Sequence, residues 1–447
     1  MAKRLWDKGD KLDQLVHDFT VGTDPEVDLE LVQWDAIGSA AHARMLEKVG
    51  LLDSAECKKL LSALKAIHKK GMEGDFNIPR ELEDVHTSIE TALVEELGES
   101  GKRIHAGRSR NDQVLAAMRL YMRHQVLEVS ALIGAWVESL SKRFDEVGSI
   151  GMPGYTHMQR AMPSSLGMWL HAFIESLIDT LRQGQFVLDG IDSCPLGSAA
   201  GFGTSLPLDR EYTAELLGFS RVQRSPIDVQ NSRGKAELRF VRWLTEISSI
   251  IEKFSWDVAL FVTDEYGFLK LPNELTTGSS IMPQKRNPDV AELLRARAAV
   301  VRGAADELAW VIAKLPSNYH RDFQGTKEPV VRALGVVTQS LAVVTRLTEG
   351  FKVEESALSK AMSAELYATF EAYRKVGSGV AFREAYSETA KKVESSSLDV
   401  EALKKDFDGI WEETKKYQKL ALQDYQAVLS EIEQTASKFE AVEKKVF

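Results

Sequence analysis

The chain has 447 residues, 44% of them hydrophobic and 27% charged, and a formal net charge of −10. Such a length accommodates two or three domains with large buried cores, and the acidic balance argues against a nucleic-acid binder, which would carry a basic stripe. Two distant cysteines, Cys57 and Cys194, suggest neither a disulfide framework nor a thiolate metal site; no apolar run approaches the roughly 18 residues that span a bilayer, and the opening MAKRLWDKGDKLD lacks the apolar core of a signal peptide, so a cytoplasmic protein is expected.

The first hundred residues read as helices over 26–49, 54–71 and 80–97, broken by Gly50, Gly71–Gly74 and Gly98–Gly101. Longer periodicity follows. Val126, Val129, Ile133, Trp136, Leu140 and Phe144 recur at helical spacing, as do Phe240, Leu244, Ile247, Ile251, Phe254, Val258 and Phe261. Val330, Leu334, Val337, Leu341, Val344 and Leu347 nearly repeat the rule, and two more helices fit 163–189 and 289–314. Five long elements with such seams predict an all-α bundle packed at shallow angles. Their apolar faces are broader than one core can hide, which points to an oligomer. Beyond Gly350 short helices with Lys- and Glu-rich ends are expected. The domains read as 1–105, 106–352 and 353–447.

The most informative loop is GSSIMPQKRNPD, from Gly278 to Asp289. Asn287 suits an N-cap, Pro288 the first helical position, and Asp289 and Glu292 the first turn. Free helix N–H groups and Lys285 converge there beside the hydroxyls of Ser279 and Ser280. That suits a carboxylate ligand and a reaction in which negative charge builds up; an ordinary capped helix behind a polar loop fits the same residues. The glycine-rich GSAAGFGTS (197–205) lacks the ending of a phosphate-binding P-loop and reads as a tight turn. Neither G-x-S-x-G nor H-E-x-x-H is present, so hydrolase and metal-site readings have no motif.

Five further segments accompany that loop: EDVHTSIE (83–90), HAGRSRNDQV (105–114), MPGYTHMQRAMP (152–163), PLGSAAGFGTSLPLDRE (195–211) and YHRDFQGTKEP (319–329). Together, in this order, they resemble the fumarase/aspartase superfamily, whose members eliminate fumarate from succinyl compounds. HAGRSRNDQV and the pair Gln284–Lys285 resemble its argininosuccinate lyase branch. The resemblance implies a three-domain fold whose central five-helix bundle assembles into a tetrameric helical core, with each active site drawn from three subunits. It implies cleavage of argininosuccinate to arginine and fumarate, in arginine biosynthesis, without a cofactor or metal.

By the same resemblance Ser279 is the base, Lys285 and Asn287 clamp the carboxylate, and His157 protonates the leaving nitrogen or holds a water that does. His86 is a supporting catalytic residue, with Glu83 and Asp84 placed to hold its tautomer. Ser109, Arg110 and Asn111 match carboxylate and amino-acid contacts, Thr156 the fumarate portion, and Tyr319, Gln324 and Lys327 the arginine end. Arg233 is a further carboxylate contact, Arg108 and Asp112 read as an internal ion pair, and Arg286 and Arg321 as surface charges. The chain departs from the pattern at FTVGTDPEVD (19–28), at Arg286 and at Tyr386. Adenylosuccinate cleavage is the nearest alternative activity; a crystallin-like structural role is the alternative of a different class.

Overall fold

The computed structural model describes residues 13–447, apart from the side chain of Glu440. The opening segment read above as lacking an apolar leader lies outside the described residues, except for Asp13. Helices α1 (Gln14–Val21), α2 (Val32–Lys48), α3 (Ser54–Glu73) and α4 (Val85–Leu97) build the first layer. Each of the last two starts on an aspartate whose carboxylate accepts a backbone N–H of the first turn, Asp53 from Glu56 and Asp84 from Thr87, both at 2.8 Å. The helix expected from residue 80 begins later. Only a single 3-10 turn forms at Arg80–Leu82, and Glu83, at φ 71°, breaks the chain before Asp84 restarts it. The helix expected from residue 26 likewise opens as short turns and becomes regular at Val32.

Five long helices form the centre: α5 (Arg110–Val147), α6 (Leu166–Ile191), α7 (Lys235–Phe261), α8 (Asp289–Ile312) and α9 (Lys327–Gly350). All three stripes named from the sequence are buried. Their aromatics meet at the centre, where Trp169 stacks on Phe254 with centroids 5.2 Å apart and Trp136 and Phe173 meet the same ring edge-on. Trp136 spends its one donor on Thr348 Oγ1 at 2.9 Å, so the buried indole is satisfied. Burying each such side chain is worth about 1.5–3 kcal/mol. An 18-residue stretch within Arg321–Gly350 has mean hydropathy 1.4, so by length and composition alone this helix would pass for a membrane span. It is no unbroken apolar run, since Arg332 and Arg346 interrupt it, and in the fold the helix packs against α5, α7 and α8.

Between α5 and α6 the chain makes a hairpin, β1 (Gly151–Thr156) with β2 (Gln159–Ser165), Pro153 opposite Pro163. Its two-residue turn is His157–Met158, both left-handed at φ 53° and 60°.

After α9 come α10 (Ala368–Gly377) and α11 (Phe382–Glu394), short as expected. The next element is not short: α12 runs from Val400 to Val446, 47 residues. It returns along α6, where Trp411 lies 5.2 Å from the Phe144 ring, and reaches the first layer, where Arg44 Nε donates to Val446 O at 2.7 Å. Its buried side, from Leu403 through Thr414, Gln418, Ala421 and Tyr425 to Ile432, mixes polar and apolar residues, which hides the stripe in the sequence.

Candidate active site

A cleft of about 880 Å³ opens where the first layer meets the starts of α5 and α9. Seven of the twelve site residues expected from sequence line it: His86, Ser109, Arg110, Asn111, Tyr319, Gln324 and Lys327. Arg108, Arg233 and Arg321 line it too, so five permanent cations face three carboxylates, Asp24, Glu83 and Asp84. A cleft of this sign attracts a multiply charged carboxylate despite the acidic chain around it.

The start of α5 is fixed by reciprocal capping. Ser109 Oγ accepts from Asn111 N at 3.2 Å, while Asp112 accepts from Ser109 N at 3.0 Å. The other Asp112 oxygen accepts the N–H groups of Gly197 and Ala199 at 3.0 and 2.8 Å. The glycine-rich turn therefore spends two of its amides on a carboxylate of its own chain, which leaves it a brace for the cleft. Asp112 is fully buried, and burial pushes its carboxyl up to about 6 against those hydrogen bonds. The expected Arg108–Asp112 ion pair is replaced by separate anchors, because Arg108 donates to Ser39 Oγ at 2.7 Å. Arg110 Nη1 sits 3.1 Å from Asp84 and 3.9 Å from Glu83.

His86 is buried, and its partner differs from the one expected. Nδ1 lies 3.3 Å from Asp35 Oδ2, while Asp84 caps α4 and meets Arg110. Burial works against a charged ring, but Asp35, Asp84 and Asp28 outweigh it and hold the imidazole above its ordinary range. Lys327 is also buried, with Nζ 3.1 Å from Asp24 and closer still to Asp28. Desolvation opposes its charge, yet these two carboxylates raise its pKa. Asp24 in turn is pushed up to about 6 by burial, in spite of Lys327.

Gln324 Nε2 donates to the carbonyls of Thr20 and Val21 at 2.9 and 3.0 Å, and Arg321 Nη2 to Thr20 O at 2.9 Å. Arg321 is thus tied into the cleft wall. Arg233 lies 5.8 Å from the Tyr319 ring centroid, and burial lowers its pKa. Asp24, Asp28 and Asp35 were missed from sequence. The first two belong to the unusual 19–28 turn, four residues apart, where two like charges are unfavourable until a cation meets them.

Five expected residues lie outside this cleft. Thr156 and His157 are exposed at the hairpin tip. Ser279, Lys285 and Asn287 lie on the loop before α8, with Lys285 exposed and the other two half-buried. Ser279 Oγ accepts from Ile281 N and Met282 N at 3.3 and 3.1 Å. Asn287 is not the N-cap: it pairs with Thr277 across a two-residue ladder, Pro288 takes the cap position and the helix begins at Asp289. Within one chain, then, the expected groups occupy three places.

A family model described as Lyase matches residues 8–303. The argininosuccinate lyase of Sorangium cellulosum is 41% identical over 393 residues, covering 88% of this chain and 91% of that protein. That of Thermotoga neapolitana is 41% identical over 396 residues, covering 88% and 98%. Among solved structures, an EDDS lyase in complex with formate superposes with a TM-score of 0.72 at 20% identity, covering 97% of this chain and 98% of that one. A class II fumarase from Schistosoma mansoni gives 0.71 at 16% identity, covering 87% and 93%. These two likenesses show the fold. With two lyase relatives above 40% identity along nearly their whole length, the chain belongs to the argininosuccinate lyase family, on the all-α fold of the fumarase/aspartase superfamily.

Proposed function

We propose that the chain catalyses the reversible β-elimination of argininosuccinate to L-arginine and fumarate, in arginine biosynthesis and in the cytoplasm. The observation that carries this reading is the cleft, which gathers the Ser109–Asn111 segment with Tyr319, Gln324 and Lys327. Its excess of guanidinium and ammonium groups suits a ligand with three carboxylates, and its acidic members suit the guanidinium of the same ligand.

In the reaction a C–H bond beside a carboxylate breaks and its electron pair delocalises into that carboxylate. The C–N bond then breaks as C=C forms, and the departing guanidino nitrogen gains a proton. Ser279 is the base on this reading. The two backbone N–H groups aimed at its Oγ stabilise the alkoxide form, which supplies the activation a neutral hydroxyl lacks. Lys285, Asn287 and the start of α8 oppose the charge developing on the substrate carboxylate. His157 delivers the proton to nitrogen, Thr156 contacts the fumarate portion, and His86 supports from the cleft. The separation of these groups in one chain fits a homotetramer in which neighbouring subunits bring hairpin and serine loop to the cleft, with the five central helices as the shared core of a three-domain chain.

Fumarate absorbance with purified protein tests the reading. Release from argininosuccinate is expected, and Ser279→Ala should slow turnover by about 10²–10⁴-fold. Release from adenylosuccinate alone would overturn the substrate, and an unimpaired Ser279→Ala enzyme would overturn the base.

A further inference from the structure

A second cleft, of about 540 Å³, lies beside the start of α7 and is distinct from the one just described. Five cations line it: Arg119, Arg221, Arg224, Lys235 and Arg239. Among the described residues, Asp228 is the one carboxylate in its wall, and that group already accepts from Gln223 Nε2 at 2.7 Å. None of these five has a carboxylate within 4.0 Å among the described residues, although exposed ion pairs such as Lys48–Asp209 and Arg374–Asp406 occur elsewhere on the surface.

Arg119 forms the base of the cleft. It is 3% exposed and held by neutral acceptors: the Ser193 carbonyl, Ser193 Oγ at 3.1 Å, Gln223 Oε1 at 2.7 Å and Ser232 Oγ at 2.8 Å. Its Nε is buried with no hydrogen-bond partner. Glu237 and Asp228 act on Arg119 only from beyond direct contact, and a buried guanidinium without a touching counter-charge is costly, a cost that an anion in the cleft would offset. Lys235 and Arg224 stand exposed at the rim, and Arg239 is half-buried with its guanidinium lying over Gly190. The apolar wall is small, Val222 and Ala236, and offers no aromatic surface for a base or ring to stack on.

The geometry points to a binding site for a small, multiply charged oxyanion, a polyphosphate or polycarboxylate, seated against Arg119 and gripped by Lys235 and Arg239. The site is independent of the elimination chemistry. The turn Asn231–Gly234 separates the two clefts: Ser232 bonds Arg119 on one side and Arg233 lines the other. An anion bound here is therefore one short turn from the substrate cleft.

Calorimetric titration of the full-length protein with inorganic pyrophosphate, and separately with citrate, tests this. At least one should bind with an affinity that falls as salt is raised, and the tighter of the two assigns the phosphoryl or the carboxylate class. Lys235→Gln with Arg239→Gln should weaken binding by tenfold or more, since each charged hydrogen bond is worth about that factor. Arg110→Gln, in the substrate cleft, should leave it unchanged. Both Lys235 and Arg239 reach solvent, so an unaltered melting temperature verifies the fold of the double variant. Absence of binding by both anions, or binding that survives the double substitution and vanishes in Arg110→Gln, overturns the proposal.

Discussion

His86 and Asp35 form a buried pair, Nδ1 to Oδ2 at 3.3 Å, and Gln113 Nε2 donates to the same carboxylate at 3.0 Å. The pair makes the charge state of a cleft-lining imidazole a property of a residue 51 positions earlier. Burial alone would neutralise the ring; Asp35 and the acids behind it keep it protonated to higher pH. Asp35→Asn should therefore move the His86 titration downward, as read from its imidazole resonances. The sign for stability follows. A raised folded pKa contributes stability that is complete below the ordinary value of about 6.5 and is lost as pH rises through the folded value. The variant should lose that component, flattening the pH profile above about 6.5. An unmoved titration would detach His86 from Asp35.

Lys327 neutralises two carboxylates that cannot reach bulk water easily, Asp28 being fully buried. Lys327→Met removes the ammonium in direct contact with both, and breaking a buried pair from one side costs roughly 3–5 kcal/mol. Urea unfolding should show that loss, with part of it recovered in Asp28→Asn/Lys327→Met. A loss below about 1 kcal/mol would mean that water already solvates the pair.

The hairpin turn places two L-residues in left-handed backbone, which costs about 1–2 kcal/mol each. Glycine removes that cost at Met158, so Met158→Gly should stabilise by about 1 kcal/mol in thermal unfolding. His157→Asn keeps a side chain that tolerates this conformation. It should leave the melting temperature unchanged and lower kcat by about 10²–10⁴-fold. Equal activity in that variant would remove the hairpin from the chemistry.

Gly167 faces the final helix so closely that an added Cβ would lie 2.4 Å from the Trp411 ring. Gly167→Ala should displace that indole at about 1–3 kcal/mol, the usual cost of overpacking. Faster proteolysis within 400–446 and a shifted tryptophan emission would report it, and Trp411→Leu in the same background should restore resistance. Unchanged proteolysis would show that the helix is held elsewhere.

Legibility followed physical origin. The bundle could be read because Phe240, Ile247, Phe254 and Phe261 repeat on one helical face and meet nothing but core. The final helix could not, because Thr414 and Gln418 stand in its buried stripe and its ends are rich in charge. The MPGYTHMQRAMP segment carried no strand expectation, yet it folds as a hairpin around His157–Met158; nothing in that dipeptide advertises left-handed backbone. Ser109, Arg110 and Asn111 were found because they share one short motif. Asp35, Asp28 and Asp24 were not, since their partners His86 and Lys327 lie far along the chain and only the fold brings them together. The basic second cleft was equally silent, its five cations being scattered from Arg119 to Arg239.

The bond from Arg44 to the Val446 carbonyl joins positions 402 apart, and this sets an order of events. Loop closure costs rise only with the logarithm of length, about 0.6 kcal/mol per doubling, so the contact is thermodynamically undemanding. Its timing is another matter: so distant a pairing forms after the local helices have condensed. The same seam should be the earliest to open, and amide exchange near Arg44 and Val446 should then outrun exchange around Trp136 by the difference between a local fluctuation and global unfolding.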